Sequence, residues 1–336
     1  GAQSCGGARI PSGFMVLGLA SLPLRSPPAA MSAPRLVIDS HLHIWSDGSP
    51  PYPWAAAPPP QLSSAATAGE YLSAARAAGV SAALLVQPAN HKYDHSYLTA
   101  AIRDAPSFFR GMCLANPTLP VAEAVDQLTR LHAEGYVGVR FNPSLFPDGM
   151  DSEVGRALYL AAGRLRMPVG VMAFAGLPPQ LPPIRALLAH SPSTKLVIDH
   201  MGFFRQPATG GLAADSAVND EAAWAELLRL AEFPQVYVKV SALFRTSAEP
   251  PPHLDLQARV EALLAAFGAQ RLMWGSDFPF VLLGGQTPTS FALSYQQAVE
   301  VPSFWSVKGL DAAAMDFLMG GTAASLFGFT EPDRVL

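Results

Sequence analysis

The chain has 336 residues, of which half are hydrophobic and 14% are charged, and its formal net charge is −4 at pH 7. This composition supports a large buried core, and it contains no basic block of the kind that binds nucleic acid. The two cysteines, Cys5 and Cys113, are too few for a disulfide framework. No apolar run reaches the roughly 18 residues that a membrane span needs.

Residues 1–34 differ in composition from the rest of the chain. They contain Arg9, Arg25, several serines and prolines, and no acidic residue. Such a segment is typical of a transit peptide, which would direct the protein to a chloroplast or mitochondrion. In the alternative, Met31 is the true start, the leader is not translated, and the protein is cytoplasmic. We expect this segment to be poorly ordered and exclude it from the fold.

Eight short apolar runs follow, and amphipathic stretches rich in alanine and leucine separate them. The predicted strands are residues 36–43, 82–87, 111–115, 137–141, 168–174, 195–200, 236–241 and 272–277. Helical patterns include residues 68–79, 121–135, 221–233 and 256–268. Apolar strands that alternate with helices indicate a parallel sheet covered on both faces.

Eight such units over about 290 residues predict a (β/α)8 TIM barrel, an α/β fold. We expect one domain that covers residues 35–330. A doubly wound open sheet is the alternative. That fold normally carries a glycine-rich phosphate turn after an early strand, and this chain has none.

Polar residues concentrate where the predicted strands end. Because active sites of such barrels form at the carboxyl ends of the strands, these residues are candidates for an active site. The set comprises His41 and His43 in strand 1, Arg140 and Asn142 in strand 4, Asp199 and His200 in strand 6, Lys239, Ser241 and Arg245 in and after strand 7, and Ser276 and Asp277 in strand 8.

Each of these residues also has a structural interpretation. Two imidazoles on one strand face are costly to bury without partners, which favours a functional role for His41 and His43. Asp277 would cap the following helix in the structural alternative, and Arg140 would form an ion pair in the core. Asp39 shares the face of His41 if the strand is regular; to orient a histidine or to cap the barrel floor are equal alternatives for it.

The remaining histidines are predicted to lie at the surface. Those in the loop after strand 2 share a polar stretch that we expect to be solvated, and the others fall on or near helices. These residues are His91 and His95, with Asp94 between them, and then His132, His190 and His253.

Four motifs in order resemble the amidohydrolase superfamily. They are "IDSHLHIW" at 38–45, "VIDHMG" at 197–202, "VYVKVS" at 236–241 and "WGSDFP" at 274–279. They are most similar to the lactonase-like branch, which includes the 2-pyrone-dicarboxylate lactonases and the sugar-acid lactonases. The resemblance covers residues 36 to 328.

The resemblance implies a set of site residues. Metal-dependent members bind a divalent ion with the strand 1 histidine pair, a strand 5 histidine and the strand 8 aspartate, and a strand 6 histidine assists. His41, His43, His200 and Asp277 match the strand 1, 6 and 8 positions. Strand 5, "PVGVMAFAG", contains no histidine. The related lactonases share this loss, which points to lactone hydrolysis without a required metal.

We therefore expect hydrolysis of a lactone, or a related cyclic ester of a small carboxylic acid, with Asp277 as the base that activates water. His41, His43 and His200 would polarise the carbonyl and stabilise the oxyanion. Substrate binding would fall to Arg140, Arg245, Asn142 and Lys239, and the apolar loops after strands 4 and 8 favour a neutral or mono-acid lactone.

Two other functions remain open at this point. In the first, His41, His43 and Asp277 hold zinc or manganese, and the chain is a metal-dependent amidohydrolase or decarboxylase. In the second, the barrel binds a small molecule without catalysis. In either case the expected partner is a small molecule, with no nucleic acid and no membrane, and the low charge fraction is compatible with a homodimer.

Overall fold

The computed structural model describes residues 36–64, 66–204, 221–283 and 292–330. Eight strands form one sheet in chain order, and each pairs in parallel with the next. The strands are β1 (Ile38–Leu42), β2 (Ala82–Val86), β3 (Phe109–Leu114), β4 (Tyr136–Phe141), β5 (Val169–Val171), β6 (Leu196–Ile198), β7 (Val236–Ser241) and β8 (Leu272–Gly275). This sequential order confirms the TIM barrel over the open sheet. The predicted leader, residues 1–34, lies outside the described residues.

Backbone hydrogen bonds close the barrel between its first and last strands. The amide of Asp277 donates to the carbonyl of His41 at 2.8 Å, and the amide of His43 donates to the carbonyl of Phe278 at 2.7 Å. The closure therefore runs through three of the predicted site residues. It fixes the backbone of both strands at the end where the polar residues lie.

Helices lie between the strands and after the last one. Within the described ranges they are α1 (Ala68–Ala77), α2 (Ser96–Asp104), α3 (Val121–Ala133), α4 (Glu153–Arg164), α5 (Leu181–His190), α6 (Glu221–Arg229), α7 (Leu243–Thr246), α8 (Gln257–Phe267), α9 (Tyr295–Glu300), α10 (Ala312–Asp316) and α11 (Thr322–Phe327). The hydroxyl of Thr67 caps α1 by accepting from the amide of Glu70. The part of the chain that the structure describes has no helix with the length and apolarity to cross a bilayer.

Five strands, β1, β2, β5, β6 and β8, are shorter than predicted. Of these, β5 and β6 keep half of their predicted length or less, and both stop where the chain turns into the site. The fifth run was predicted to reach residue 174, but β5 ends at Val171. The sixth was predicted to reach residue 200, but β6 ends at Ile198, and residues 199–203 form a tight turn with left-handed backbone angles. Apolar composition continues past the last ladder hydrogen bond, so it overestimates strand length here.

The buried core has two parts. The larger cluster lies between the sheet and the helices, and the smaller joins Ile38, Leu84, Met112 and Met273 of the strands with Phe327 of α11. Alternate strand residues fill the smaller cluster, as expected for a packed barrel interior rather than a pore. The polar residues at the other end of the strands therefore lie above a packed apolar interior.

An irregularity in β1 separates Asp39 from the histidines. The pairing register shifts between Asp39 and Leu42, so Asp39 does not share the face of His41. Its oxygens instead accept from the hydroxyls of Tyr71, Tyr295 and Ser276 at 3.3, 2.9 and 2.6 Å. Two backbone amides, those of residues 41 and 276, also donate to it at 3.1 and 3.0 Å. A shared face of Asp39 and His41 was expected only for a regular strand, and β1 is irregular between these residues.

Candidate active site at the carboxyl ends of the strands

Asp277 lies at the centre of a buried group of three histidines. Its Oδ1 is 3.6 Å from Nε2 of His43, 3.9 Å from Nε2 of His41 and 4.0 Å from Nε2 of His200. All four side chains are buried. The structure thus brings together the four residues that the sequence predicted as catalytic.

The backbone at the ends of β6, β7 and β8 is left-handed at residues that are not glycine. The φ angles are +51° at His200, +50° at Ala242 and +58° at Asp277. Such conformations cost about 1–3 kcal/mol each and persist only where the surroundings impose them. At Asp277 the closing bond to His41 imposes it. These turns direct His200 and Asp277 toward each other.

His43 has a defined hydrogen-bonding state. Its Nδ1 lies 2.8 Å from the carbonyl oxygen of Val86, and a carbonyl can only accept, so Nδ1 carries a proton. Burial, together with the positive charge of Arg140, lowers the pKa of His43 to about 3. The ring is therefore neutral at pH 7, and Nε2 presents a lone pair toward Asp277.

His41 contacts a buried ionic cluster on its other side. Its Nδ1 is 3.0 Å from Nζ of Lys239 and 3.4 Å from Oδ1 of Asp199. Arg140 donates to Oδ2 of Asp199 at 3.2 Å. Burial, followed by the charge of Lys239, lowers the pKa of His41 well below its ordinary value. Its Nε2 is buried and has no hydrogen-bond partner among the described residues.

Opposing effects act on the pKa values of the two site aspartates. Burial raises the pKa of Asp199, but Lys239 and Arg140 outweigh it, so the pKa is lowered and the group is ionised. Burial raises the pKa of Asp277, and Arg245, whose Nε donates to Oδ2 at 2.9 Å, only partly opposes this. Asp277 is therefore the more basic carboxylate, and its Oδ1 faces the histidines.

His200 is held by a hydroxyl from the next strand. Its Nδ1 lies 2.7 Å from Oγ of Ser241. Burial, followed by the neighbouring His41, lowers the pKa of His200 well below its ordinary value. All three imidazoles are thus neutral at pH 7, so they can act as donors or acceptors but not as charges.

A cavity of about 280 Å³ opens over this group. Its polar lining comes from His43, His200 and Asp277, with Arg140 and Arg245, and from Asn90. Its apolar lining consists of Pro88, Ala89, Met172, Phe174, Phe203 and Phe280. Phe174 is 55% exposed although it is aromatic. The cavity is large enough for a small ring compound, and hydrocarbon covers most of its wall.

Two of the predicted substrate-binding residues line the cavity and two do not. Arg140 and Arg245 reach it, and in each only Nε is bonded to an aspartate. Lys239 is fully buried and contacts His41 and Asp199 instead. Asn142 caps the turn after β4, where its side-chain oxygen accepts from the amide of residue 144 at 3.1 Å. The geometry gives no support to direct substrate contact by Lys239 or Asn142.

Three histidines outside the site lie elsewhere than predicted. His91 accepts from the amide of Ser46 at 3.3 Å, and His95 accepts from the amide of Leu114 at 3.1 Å. His253 lies 2.9 Å from the carbonyl oxygen of residue 249. All three are buried, so their predicted surface positions are wrong. A polar loop sequence does not reveal that its histidines fill backbone hydrogen bonds. The predictions for His132 and His190 are confirmed, because both are exposed.

The aromatic wall of the cavity was not predicted. Phe174 and Phe203 pack edge to face with ring centroids 5.3 Å apart, and Arg245 lies 5.0 Å from the ring centroid of Phe280. The signal available in the sequence was the apolar character of the loops after strands 5, 6 and 8. That signal is also typical of core residues, so it could not place these rings over the site.

One group of described residues could hold a divalent metal ion. Ligand atoms of His41, His200 and Asp277 all lie within 4.8 Å of one another. The predicted set contained His43 in place of His200. The ring of His41 is closer to that of His200, with centroids 4.3 Å apart, than to that of His43, at 5.2 Å. The unpartnered Nε2 of His41 also fits a ligand position, and histidine with carboxylate is a suitable donor set for zinc.

Comparisons with known proteins agree with the sequence motifs. An L-fucono-1,5-lactonase from Burkholderia multivorans is 29% identical over 312 residues, which cover 88% of this chain and 97% of that protein. A candidate 2-pyrone-4,6-dicarboxylic acid hydrolase from Pseudomonas putida has a structure with a TM-score of 0.67 and 31% identity, covering 88% of this chain and 99% of that chain. The first name is that of a sugar-acid lactonase and the second that of a 2-pyrone-dicarboxylate hydrolase, the two kinds of protein that the motifs resemble.

A third relative bears on the metal. An amidohydrolase from Burkholderia multivorans, solved with bound zinc, has a TM-score of 0.60 and 26% identity, covering 88% of this chain and 100% of that chain. The amidohydrolase family profile matches residues 38–329, which include all eight strands and the four central site residues. This chain belongs to the amidohydrolase family.

Proposed function

We propose that this protein hydrolyses a lactone, or a related cyclic ester of a small carboxylic acid, by water attack that Asp277 assists. The observation that carries the proposal is the position of Oδ1 of Asp277. It is a basic oxygen at the cavity, surrounded by three neutral histidines and bonded to none of the described residues. Relatives whose names describe lactone hydrolysis support the same reaction.

The proposed reaction has two steps. Oδ1 of Asp277 takes a proton from water as the water oxygen bonds to the lactone carbonyl carbon, and the carbonyl oxygen becomes an oxyanion. The tetrahedral intermediate then collapses, the ring carbon–oxygen bond breaks, and the departing alkoxide takes the proton back from Asp277. The product is an open-chain hydroxy acid, and the carboxylate is regenerated.

The histidines have different roles in this scheme. His43 presents a lone pair at Nε2, so it accepts from the attacking water and does not donate to the oxyanion. This modifies the role that the sequence predicted for it. His41 and His200 direct their Nε2 atoms to the same space and are the candidates to donate to the oxyanion.

We propose further that the reaction does not require a metal. General-base catalysis contributes about 10²–10⁴-fold, which suits an activated ester more than an amide. If a metal is bound, His41, His200 and Asp277 would hold it, and it would supply a more acidic bound water and a Lewis acid. The relative with bound zinc keeps this alternative open.

The lining of the cavity favours an apolar lactone with one carboxylate or none. The terminal nitrogens of Arg140 and Arg245 bond to none of the described residues, and they suit one carboxylate, since arginine pairs with carboxylates through two parallel bonds. Phe174, Phe203 and Phe280 suit a hydrocarbon substituent. A polyhydroxylated sugar lactone would leave hydroxyl groups against these rings without partners, at a cost in binding.

A substrate screen tests the reaction. We would assay purified protein against an alkyl- or aryl-substituted lactone, a sugar-acid lactone and 2-pyrone-4,6-dicarboxylic acid, with and without a chelator, and determine bound metal in parallel. Chelator-resistant ring opening, fastest for the apolar lactone, is expected. Absence of ring opening for every lactone would contradict the proposal and favour a binding protein without catalysis.

The metal-dependent alternative predicts a different result in the same screen. Near-stoichiometric zinc or manganese would be present, and a chelator would abolish hydrolysis until the metal was restored. The carbonyl substrates to test would then include amides and carboxylates that lose carbon dioxide. The group formed by His41, His200 and Asp277 is the observation that favours this second candidate.

We also propose the setting in which the protein acts. A small molecule is the expected partner because the candidate site is a small, mostly apolar cavity. The low charge fraction is compatible with a homodimer, which light scattering would test. Residues 1–34, fused to a fluorescent protein, would report whether they direct transport into an organelle.

A further inference from the structure

Lys239 is a fully buried cation that lies beneath the catalytic histidines. Its Nζ is 3.0 Å from Nδ1 of His41 and 3.3 Å from Oδ1 of Asp199. A buried ammonium group needs polar partners. Nδ1 of His41, in β1, accepts a hydrogen bond from it, and Asp199, directly after β6, forms an ion pair with it. The position of the ammonium group against the ring of His41 is therefore fixed by the barrel itself.

This contact determines which nitrogen of His41 carries the proton. An ammonium group has no lone pair, so Lys239 can only donate, and Nδ1 of His41 must accept. An imidazole whose Nδ1 carries no proton has its one N–H at Nε2. The other tautomer would place an N–H group against the ammonium at 3.0 Å, with Asp199 as its acceptor at the longer distance of 3.4 Å.

We propose that Lys239 is a positioning residue that makes His41 a hydrogen-bond donor at Nε2, opposite in role to His43. The carbonyl of Val86 keeps the proton of His43 on Nδ1, and Lys239 keeps that of His41 on Nε2. One histidine thus offers a lone pair and the other offers a proton to the same cavity. Only the use of the Nε2 proton, as a donor to the oxyanion, rests on the proposed function.

The same tautomer opposes a metal ion. A metal ligand must present a lone pair, but Nε2 of His41 carries a proton in this arrangement. To bind zinc there, His41 would have to move its proton to Nδ1, beside the ammonium of Lys239. Although the positions of His41, His200 and Asp277 fit an ion, the protonation of His41 does not. Lys239 therefore weakens zinc binding without contacting the ion.

The variant Lys239→Met tests this directly. It removes the donor, keeps an unbranched chain of similar length, and lets Nδ1–H of His41 donate to Asp199. We expect zinc affinity, measured by equilibrium dialysis, to rise about tenfold or more, the range typical when a group behind a metal ligand is changed. A merely structural role for Lys239 would lower zinc affinity or leave it unchanged.

A nitrogen spectrum measures the tautomer itself. Long-range proton–nitrogen correlations distinguish the two tautomers of a neutral imidazole, and loss of the signal in His41→Gln assigns it. We expect the Nε2–H form in metal-free wild-type protein and the Nδ1–H form in Lys239→Met. The matched control Ser241→Ala removes the partner of His200 and should leave the tautomer of His41 unchanged.

Several results would overturn the proposal. They are an Nδ1–H form in the wild type, an unchanged zinc affinity in folded Lys239→Met, and a changed His41 tautomer in Ser241→Ala. If Lys239→Met does not fold, the wild-type spectrum decides alone. None of these measurements uses turnover, so a failed lactone screen would contradict the proposed function and leave this inference to be judged separately.

Discussion

Two buried aspartates, Asp39 in β1 and Asp277 just after the adjacent β8, show how differently the same side chain can be used. Asp39 and Asp277 are both almost completely buried, and burial is the main cause that raises the pKa of each. Asp39 receives donors on both oxygens, from two backbone amides and three hydroxyls. Asp277 receives Arg245 on Oδ2, while Oδ1 has no donor among the described residues.

The difference between them is the number of fixed donors, not burial or pKa. A carboxylate with every lone pair occupied cannot take a proton from water, so Asp39 joins β1 to β8 and to the tyrosines of α1 and α9. A carboxylate with one open oxygen at a cavity can take that proton. The comparison therefore supports a structural role for Asp39 and the proposed catalytic role of Asp277, and substitution at either position tests it.

The largest expected effect comes from Asp277→Asn. Turnover of the lactone found in the screen should fall about 10²–10⁴-fold, because the amide cannot act as a base. The free energy of unfolding should not fall, since the buried charge is removed. Steady-state kinetics and urea denaturation measure the two quantities. Asp126→Asn, at an exposed position of α3, is the control, and activity within tenfold of wild type in Asp277→Asn would refute the assignment.

The opposite pattern is expected at Asp39. Asp39→Ala leaves backbone amides and hydroxyls without an acceptor and should lower the free energy of unfolding by about 3 kcal/mol. Asp39→Asn retains one oxygen for the two amides and should cost clearly less. Urea denaturation measures both variants. Equal losses in the two variants would mean that the hydrogen bonds to Asp39 do not hold the strands together, and the comparison would fail.

The two aspartates also show which parts of the fold and the site could be predicted from the sequence. Eight apolar runs predicted the barrel, and the carboxyl ends of parallel strands meet on one rim, so His41, His43, His200 and Asp277 were predicted to meet. The sequence could not show the shift of register after Asp39, since alternation assumes a regular strand.

The sequence also could not show how deep along the barrel axis each polar side chain lies. Lys239 and Arg140 both lie in strands, yet one contacts only buried partners and the other lines the cavity. Which of them lines the cavity depends on how the strands are staggered and on which neighbour lies opposite. No local pattern records that. The capping role of Asn142 is different, because its bond to the amide of residue 144 is local and an Asn-Pro pair is typical of a turn.

A smaller effect is expected when Arg245, the partner of Oδ2 of Asp277, is replaced. In Arg245→Met the cation that partly opposes burial is lost, so the pKa of Asp277 should rise further. A base acts only above its pKa, so the acidic limb of the profile of kcat against pH should move to higher pH. Arg103→Met, at an exposed site, is the control. An unchanged limb would mean that Asp277 is not the titrating base.

The smallest expected effect comes from a change in the apolar wall of the cavity that Asp277 lines. Phe174 is about half exposed, so Phe174→Ala should lose only part of the burial energy of a phenyl group, about 1 kcal/mol, or about five-fold in kcat/KM for an apolar lactone. An unsubstituted lactone should lose less, because it does not reach the ring. Leu254→Ala removes another exposed apolar side chain, one that does not line the cavity, and should change neither substrate. If both substrates lose activity equally in Phe174→Ala, the ring shapes the site as a whole rather than selecting the apolar substituent.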